Sequence, residues 1–495
     1  MSWFDESGAN ANNTKNKDHD LATMLNRKAA AHIHIQDMTF DFGEWSHALS
    51  VNRTLESVAI CVSMASLPMS KSCRDLFRAL GKLPKLQTLR FLSSTENGAF
   101  GMYCWRCPLN VLTIIFQQKP AKLRTFHIQD VEFRGQDDEN ALTKLAESLS
   151  RLPLLQEFSM AHCRFVKETS LSILDPVLQQ LLLMSGSTKI SGEEDGDTTN
   201  DSQTRTAGIQ KIILSATRVD ALGGPMQHES LCQIFAHHHQ QQPLSVLKEL
   251  RLLKFDFSTK VLVPLLGVLM GYPCLEKLLL SRCQWDASVI RVLSKLLRGN
   301  GNINNNNMTN ITNDSGGSYR GLRELHLLGN CDFLRGNNKD SVECHGELVQ
   351  ALLESPSMRR FFVEPMQPPP RRSRTFLIEP LDDEDEEDEF AIPISCQKLY
   401  LRAMHHNYAL EEFRMVHLFA PRWHGLIEFY LRLNQAGRRV VMLDPDSING
   451  SHIRRMDDLE NDKRAWINAI AAVNDDVACI FYFLANFPLL VQGAF

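Results

Sequence analysis

A six-residue pattern of apolar and variable positions recurs along the chain. An aliphatic residue is followed by two variable residues, a second large apolar residue, one variable residue and a third apolar residue. Weaker copies of this repeat phrase begin at Leu55 and Cys396, and a partial copy contains Ile33 and Ile35. Such self-similarity predicts an architecture of stacked structural repeats. The clear copies begin at Leu86, Leu123, Leu155, Ile209, Leu247, Leu275, Leu322 and Met358.

The stretches between copies carry a helical pattern instead. Apolar residues recur at spacings of three and four in residues 76–83 and again in 289–297, which is typical of one buried helix face. Several of these stretches end at a proline just before the next phrase, for example Pro84, because proline cannot continue a helix. The chain is therefore predicted to alternate a short strand, a turn, a helix and a return, with parallel strands on one side and helices on the other.

Small or polar residues follow the phrase, with a large apolar residue two positions later. Cys163 precedes Phe165 in this way, and Cys283 precedes Trp285. Together with the phrase, this arrangement resembles the leucine-rich-repeat signature of the ribonuclease-inhibitor type over roughly residues 30–410. The resemblance implies an α/β horseshoe solenoid of about ten repeats, with a parallel concave sheet and convex helices.

Three insertions interrupt the spacing of the phrases. They lie near residues 185–207, 299–321 and 367–393, where runs of Gly, Ser, Asn, Pro and acidic residues occur. Such composition is typical of surface loops. Residues 1–29 precede the first phrase, and we expect them to be disordered or to form a capping segment.

Helical patterns replace the phrase after about residue 410. Residues 423–435 are amphipathic and are followed by Gly437, a typical helix-ending residue, and residues 465–484 are strongly apolar. We expect residues 411–495 to form a helical C-terminal cap, since an uncapped repeat would expose its apolar edge. The ending WINAIAAVNDDVACIFYFLANFPLL also resembles that of uncharacterised leucine-rich-repeat families from algae, a resemblance that implies no activity.

The composition narrows the class of protein. Of 495 residues, 43% are hydrophobic, which excludes wholesale disorder. The formal charge of -5 disfavours a dedicated nucleic-acid binder, and the longest apolar stretch, 15 residues at 261–275, is short for a membrane span. With no visible secretory signal in residues 1–20 and 12 dilute cysteines, we expect a monomeric cytoplasmic protein, with the nucleus as the alternative location.

Candidate metal-binding groups have simpler explanations. Cys104 and Cys107 have the spacing of half a zinc site, but no second pair lies at a suitable spacing. The three histidines at 237–239 fit a low-complexity loop that closes one helix. We therefore expect no metal site and no cofactor.

Candidate catalytic groups are equally weak. Cys163 and Cys283 occupy the same repeat position, where a small buried side chain is expected. The acidic pairs at 457–458 and 475–476 are expected to face solvent, because adjacent carboxylates on a helix point apart. Since no phosphate-binding loop or nucleophile motif occurs, we predict that the chain is not an enzyme.

Eight consecutive acidic residues occupy positions 382–389, inside the third insertion. They are interpreted either as a solvated loop or as an acidic arm that docks on a basic partner, or on Arg371, Arg372 and Arg374. Leucine-rich-repeat activators of the small nuclear-transport GTPase also carry an acidic segment. In those proteins it follows the repeats, whereas here it interrupts them, and this chain has no matching arginine loop.

Side chains that alternate with the buried ones are expected to line the concave sheet. The row between the second and third apolar positions of the phrase contains Arg90, His127, Ser159, Ile213, Arg251, Leu279, His326, Phe362 and Tyr400. Exposed aromatics among cations are typical of protein interfaces. The predicted partner-binding residues are Arg251, Leu279, His326, Arg360, Phe362, Lys398, Tyr400 and Arg402.

An alternative for two of these residues stays open at this point. Phe362 and Tyr400 could instead pack on a neighbouring insertion or on the cap. If they bind a partner, replacing both with alanine should abolish binding and leave the fold intact.

These patterns predict a non-catalytic interaction scaffold or adaptor that binds an unidentified protein partner on the concave face. The alternative is a GTPase-activating or other regulatory subunit, in which the solenoid supplies an arginine to a partner's active site. Neither hypothesis includes a membrane or nucleic-acid partner.

Overall fold

A computed structural model describes two compact units. Unit 1 is Met1–Asp256 with Gly271–Leu275, and unit 2 is Phe257–Met270 with Glu276–Phe495. Residues 1–29 and nearly all of the three predicted insertions lie outside the described residues. The described residues are 32–36, 42–62, 71–93, 105–107, 110–129, 131–133, 138–149, 151–161, 163–165, 175–185, 208–215, 229–241, 245–253, 255, 257–298, 321–330, 332–335, 338–355, 357–365, 392–415, 419–438 and 463–486.

Unit 1 alternates short strands with helices. The strands are β1 (His32–Gln36), β2 (Ser57–Val62), β3 (Thr88–Ser93), β4 (Trp105–Cys107), β5 (Thr125–Gln129), β6 (Val131–Phe133), β7 (Glu157–Ala161), β8 (Arg164–Phe165), β9 (Lys211–Ser215) and β10 (Glu249–Leu253). The helices are α1 (Phe42–Val51), α2 (Lys71–Lys82), α3 (Asn110–Gln117), α4 (Asp138–Leu149), α5 (Asp175–Leu183) and α6 (Glu229–Gln241).

Two parallel sheets form in the described part of unit 1. The larger has the order β1-β2-β3-β5-β7-β9-β10, so that each strand lies beside the strand of the next repeat. The smaller has the order β4-β6-β8, and its last two members each follow a strand of the larger sheet within three residues in the sequence. Parallel neighbours joined through helices are the connection that the alternating pattern predicts.

Unit 2 continues the alternation and then becomes helical. Its strands β11 (Lys277–Gln284), β12 (Glu324–Asn330), β13 (Arg360–Pro365) and β14 (Glu412–Arg414) pair in parallel in that order. Its helices are α7 (Thr259–Leu269), α8 (Ala287–Arg298), α9 (Asp332–Arg335), α10 (Lys339–Glu354), α11 (Ile394–His406), α12 (His424–Gln435), α13 (Lys463–Ala471) and α14 (Val477–Asn486). Across the described residues, every helix falls short of the length and apolar character that crossing a membrane requires.

One hydrogen-bond pattern joins successive repeats. The carbonyl oxygen of the second phrase residue accepts from two consecutive N–H groups of the next repeat. Gln87 O accepts from Arg124 N and Thr125 N at 2.8 and 2.9 Å, and Arg359 O accepts from Glu411 N and Glu412 N at 2.7 and 3.0 Å. Each repeat therefore completes its backbone pairing on its neighbour, as stacked repeats do.

The apolar phrase positions form the core, as the periodicity predicts. Leu86, Leu89 and Phe91 are fully buried. Helix side chains cover them from one side, because the Phe77 ring of α2 lies 5.8 Å from that of Phe91 and the Phe116 ring of α3 lies 4.8 Å from that of Phe126. Burial of such side chains contributes about 1.5–3 kcal/mol each. The α/β fold with parallel strands and flanking helices is thus confirmed.

The prediction of a strand phrase at Cys396 was wrong. Residues 394–406 form α11, whose buried residues include Cys396, Tyr400 and Met404 at helical spacing. Six residues are too few to separate a strand phrase from one helix face, since both bury their first apolar position. The last strand is instead β14, which lies inside the segment predicted as helical.

A sequence signal for that strand exists. Leu410, Phe413 and Met415 repeat the phrase spacing, and all three are buried. Asn407 stands three residues before Leu410, as Asn52 stands three before Leu55. Each asparagine Oδ1 accepts from the N–H of that leucine at 2.9 Å. An asparagine that closes the turn in this way therefore precedes both β2 and β14.

The helices after β14 contain a buried arginine. α12 ends at Gln435 and Gly437 follows with a φ of 94°, as predicted for that glycine. Arg438 is fully buried, and it donates to Asn434 Oδ1 at 2.8 Å and to Met404 O at 3.0 Å. Its guanidinium lies 4.7, 5.6 and 5.8 Å from the ring centres of Tyr408, Tyr430 and Tyr482. It thereby ties three helices of unit 2 together.

Candidate binding surface on the sheet

The open face of each main sheet is the face turned away from the helices. Side chains alternate along a strand, so this face carries the variable phrase positions. In unit 1 the strand register aligns Ala59, Arg90, His127, Ser159, Ile213 and Arg251. In unit 2 it aligns Leu279, His326, Phe362 and Arg414. Within each unit, the residues of the predicted row from Arg90 to Phe362 lie on the open face of the sheet, as the phrase predicts.

Charges of alternating sign cross the open face of unit 2. Lys277, Glu324, Arg360 and Glu412 face one another on four successive strands. The nitrogen-to-oxygen distances along this charge ladder are 3.5, 3.8 and 3.2 Å. Opposite charges directly across parallel strands stabilise the register modestly, because these side chains remain partly exposed to solvent. The cation Arg360, predicted as partner-binding, therefore already has two acidic neighbours.

Unit 1 has a shorter version of the same arrangement. Glu249 lies 3.5 Å from Lys211 on the neighbouring strand and 2.5 Å from Arg251 on its own strand. Glu249 is buried and both cations are half-buried. Arg251, another predicted partner-binding residue, is therefore also held in an ion pair.

Four side chains at the end of the unit 2 row form what we call the Phe362 cluster: His326, Phe362, Glu364 and Arg414. The Arg414 guanidinium lies 4.9 Å from the Phe362 ring centre, and the His326 ring meets the same ring edge-on at 5.0 Å. Glu364 lies 3.6 Å from His326 and 3.7 Å from Arg414. Burial lowers the pKa of His326, and the Glu364 carboxylate only partly offsets that effect.

Phe362 is consequently less exposed than a strand-face aromatic was expected to be. It is 7% exposed, because Arg414 and His326 cover its ring. Arg414 itself is 63% exposed. The group that this cluster offers to solvent is therefore a guanidinium that lies over an aromatic ring.

Three predicted partner-binding residues lie elsewhere. Lys398, Tyr400 and Arg402 are on α11 and not on a strand, so they belong to the helix layer. Tyr400 is fully buried, and its hydroxyl lies 3.0 Å from His345 Nδ1. The alternative in which Tyr400 packs on the predicted cap agrees with its contacts, since its ring lies 5.9 and 5.7 Å from those of Phe413 and Phe419 in that segment. Arg414 was missed because the phrase at Leu410 was not recognised, and Glu364 because it lies one residue beyond the phrase that begins at Met358.

A buried chain of polar groups in unit 1 has the connectivity of a catalytic triad. Ser185 Oγ lies 3.3 Å from His238 Nε2, and His238 Nδ1 lies 2.7 Å from the Tyr272 hydroxyl, which donates to Phe235 O at 3.1 Å. Ser185, His238 and Tyr272 are at most 3% exposed, so the serine is buried in the core. These contacts join the ends of helices in the core. The histidines at 237–239, predicted as a loop, are in the last turns of α6.

The remaining candidate groups also have structural contacts. Cys163 is fully buried, with Sγ 3.6 Å from Ala161 O, and Cys283 is buried as well. Asp476 was expected to face solvent. It accepts from Cys479 N at the start of α14 at 3.1 Å and pairs with Arg432 at 2.9 Å, and the first of these contacts lowers its pKa most.

Other predicted features cannot be placed. Cys104, the arginines at 371–374, the acidic run 382–389 and the pair 457–458 lie outside the described residues. In the part of the chain that the structure describes, no group of three or more His, Cys, Asp or Glu side chains could hold a metal ion.

No protein-family model matches the chain, and no curated protein matches it in sequence.

Proposed function

We propose that the chain is a leucine-rich-repeat protein of the ribonuclease-inhibitor type with a C-terminal helical cap, and that it is a non-catalytic scaffold. A protein partner binds the open face of the sheet, which is the concave face in that architecture. The repeated order of strand, turn and helix supports the architecture. The rows of side chains in register support the binding role, since such a face presents a broad and regular surface.

The Phe362 cluster carries this proposal. Arginine and aromatic residues dominate the binding energy of protein interfaces. Because its guanidinium rests on the Phe362 ring, Arg414 is oriented before a partner arrives, and less side-chain freedom is lost on binding. Its pair with Glu364 lies at the surface and is weak, so a partner carboxylate can replace Glu364.

Charge reversal tests this surface. Arg414→Glu changes the open face of unit 2, and Arg402→Glu makes the same change at an exposed position of α11. Proximity labelling in the native cell, followed by mass spectrometry, would identify partners of the wild-type chain, and the affinity for a purified partner would then be measured with both variants. We expect Arg414→Glu to weaken binding by about thirtyfold or more and Arg402→Glu to leave it unchanged. Equal affinities for the two variants would overturn the assignment.

The regulatory alternative uses the same side chain. Arg414 is the exposed arginine of the Phe362 cluster, and an arginine inserted into a partner GTPase accelerates hydrolysis. Arg414→Lys separates the two functions, because lysine keeps the charge but lacks the planar fork of donors. A scaffold should keep most of its partner affinity in this variant, whereas an activator should lose its effect on the rate of GTP hydrolysis.

A further inference from the structure

Turns that lead from a helix into the next strand lie side by side along one edge of unit 1. The chain makes this step from α1 to β2, from α2 to β3, from α3 to β5 and from α4 to β7. The first residues of these strands, Ser57, Thr88, Thr125 and Glu157, are in register across parallel neighbours. The four turns therefore stack in chain order along one edge.

These four turns are strongly basic. Residues 52–56, 82–87, 118–124 and 151–156 are all described and contain seven cations but one acid, Glu56. Six of the cations are exposed and Arg124 is half-buried. Within the described residues, no carboxylate lies within ion-pair distance of these cations. We call the set the basic edge: Arg53, Lys82, Lys85, Lys119, Lys122, Arg124 and Arg151.

The corresponding turns of unit 2 are neutralised by their own neighbours. Arg323 and Arg359 occupy the same phrase position as Arg124. Arg323 lies 3.8 Å from Glu276, and Arg359 pairs with Glu411. The arginines at this position therefore pair with acidic residues in unit 2, whereas Arg124 in unit 1 has no acidic partner among the described residues.

Helix ends explain only part of the basic edge. A cation in the last turn of a helix stabilises the negative end of its dipole, which accounts for Lys82 at the end of α2. That effect falls off within a turn, and Lys85, Lys122 and Arg124 lie three or more residues beyond the helix ends. Lys85 and Lys122 also occupy the same position in adjacent turns, so their backbones lie about 4.8 Å apart, one strand spacing across the sheet. Like charges at such a spacing repel each other, which an anionic ligand would relieve.

We propose that the basic edge binds an acidic polypeptide segment of a partner protein. Four adjacent turns make a row roughly 15 Å long, which matches four or five residues of an extended chain. Lysine ammonium groups on flexible stems suit carboxylates that share no fixed plane. The four turns contain no aromatic residue on which bases could stack, which favours a peptide over single-stranded nucleic acid. This site is separate from the open face and does not depend on its assignment.

A direct binding assay on the full-length chain tests the proposal. The probe is a fluorescent peptide with the eight acidic residues found at 382–389, measured by anisotropy at low and at high salt. A serine and glycine peptide of equal length and a single-stranded oligonucleotide of equal charge serve as comparison ligands. The edge variant is Lys85→Gln, Lys122→Gln and Arg124→Gln together. The control variant, Lys295→Gln, Lys398→Gln and Arg402→Gln, removes the same charge from exposed positions of unit 2.

We expect wild type and the control variant to bind the acidic peptide with similar affinity and the edge variant to bind about tenfold more weakly. The affinity should fall as salt rises. Equal binding by the two triple variants, or tighter binding of the oligonucleotide than of the peptide, would overturn the proposal. If wild type binds nothing, the assay is repeated after replacing residues 382–389 by serines. Binding that then appears supports an acidic ligand for which the chain's own run competes, and continued lack of binding refutes the site.

Discussion

The helix layer and the open sheet face of unit 2 hold their polar side chains in opposite ways. In the helix layer, His345 and Tyr400 are fully buried and form a hydrogen bond with each other. On the open face, the side chains of the charge ladder from Lys277 to Glu412 are partly exposed to solvent. A lost partner leaves an unsatisfied group in the first region, whereas water replaces it in the second.

Because of this difference, the open face is better suited than the helix layer to bind a partner. Because surface ion pairs contribute about 0–1 kcal/mol, the open face can exchange internal partners for external ones with little loss of stability. The helix layer cannot, since a buried polar group without a partner costs about 1–3 kcal/mol. Phe362 and Tyr400 were both predicted to bind a partner, but they lie in different regions. Phe362 is on the open face, whereas Tyr400 is in the helix layer.

The largest effect should come from Tyr400. We expect Tyr400→Ala to destabilise unit 2 by about 3–5 kcal/mol, because it removes a buried ring and leaves His345 Nδ1 without its hydroxyl donor. Tyr400→Phe should cost about 1–2 kcal/mol, since only the hydroxyl is lost. Hydrogen exchange of amides in α10 and α11 would measure both.

Tyr400→Ala therefore cannot test partner binding with the fold intact, contrary to the sequence-based expectation. If amide protection in Tyr400→Ala equalled that of the wild type, Tyr400 would not be a core residue.

The second-largest effect should be a pH dependence of folding stability that arises from His345. Its Nε2–H donates to Leu334 O at 2.7 Å, and in the neutral ring Nδ1 accepts from the Tyr400 hydroxyl at 3.0 Å. Burial lowers the pKa of His345 in the folded state. As pH falls below the unfolded value of about 6.5, the unfolded chain gains a proton that the folded chain does not. The contribution of neutral His345 to the free energy of unfolding is thus fully present above about pH 6.5. Below that pH it declines by at most about 1.4 kcal/mol per pH unit.

Urea unfolding at a series of pH values, followed through amide protection in unit 2, would measure this slope. His345→Gln should reduce it without removing it, because burial also lowers the pKa of His326 and His405. A stability independent of pH over that range would contradict the neutral, buried histidine.

The smallest effect should come from the charge ladder. Arg360→Gln removes two ion pairs and should destabilise unit 2 by no more than about 1 kcal/mol, with a smaller effect at high salt. A double-mutant cycle with Glu324→Gln would isolate the pair itself. A coupling energy as large as that of the His345 and Tyr400 pair would erase the distinction between the two regions.

Local periodicity accounts for most of what could be predicted. The phrase at Leu86 places Leu89 and Phe91 in the core and Arg90 outside it, because strand side chains alternate whatever surrounds them. The phrase at Cys396 failed because its apolar spacing also fits a helix. Leu410 to Met415 would have resolved that ambiguity, since two strand phrases only 14 residues apart leave no room for a helix between them.

The sequence by itself determined the alternation of strands and helices, the parallel pairing and the core positions, because these follow from spacing along one chain. Only the tertiary structure decided which charges meet, since Lys277, Glu324, Arg360 and Glu412 are far apart in sequence and adjacent only through strand register. It also decided that Arg414 covers Phe362 and that Tyr400 is buried against His345. Whether a polar or aromatic side chain is available to a partner depends on what the neighbouring repeats place over it.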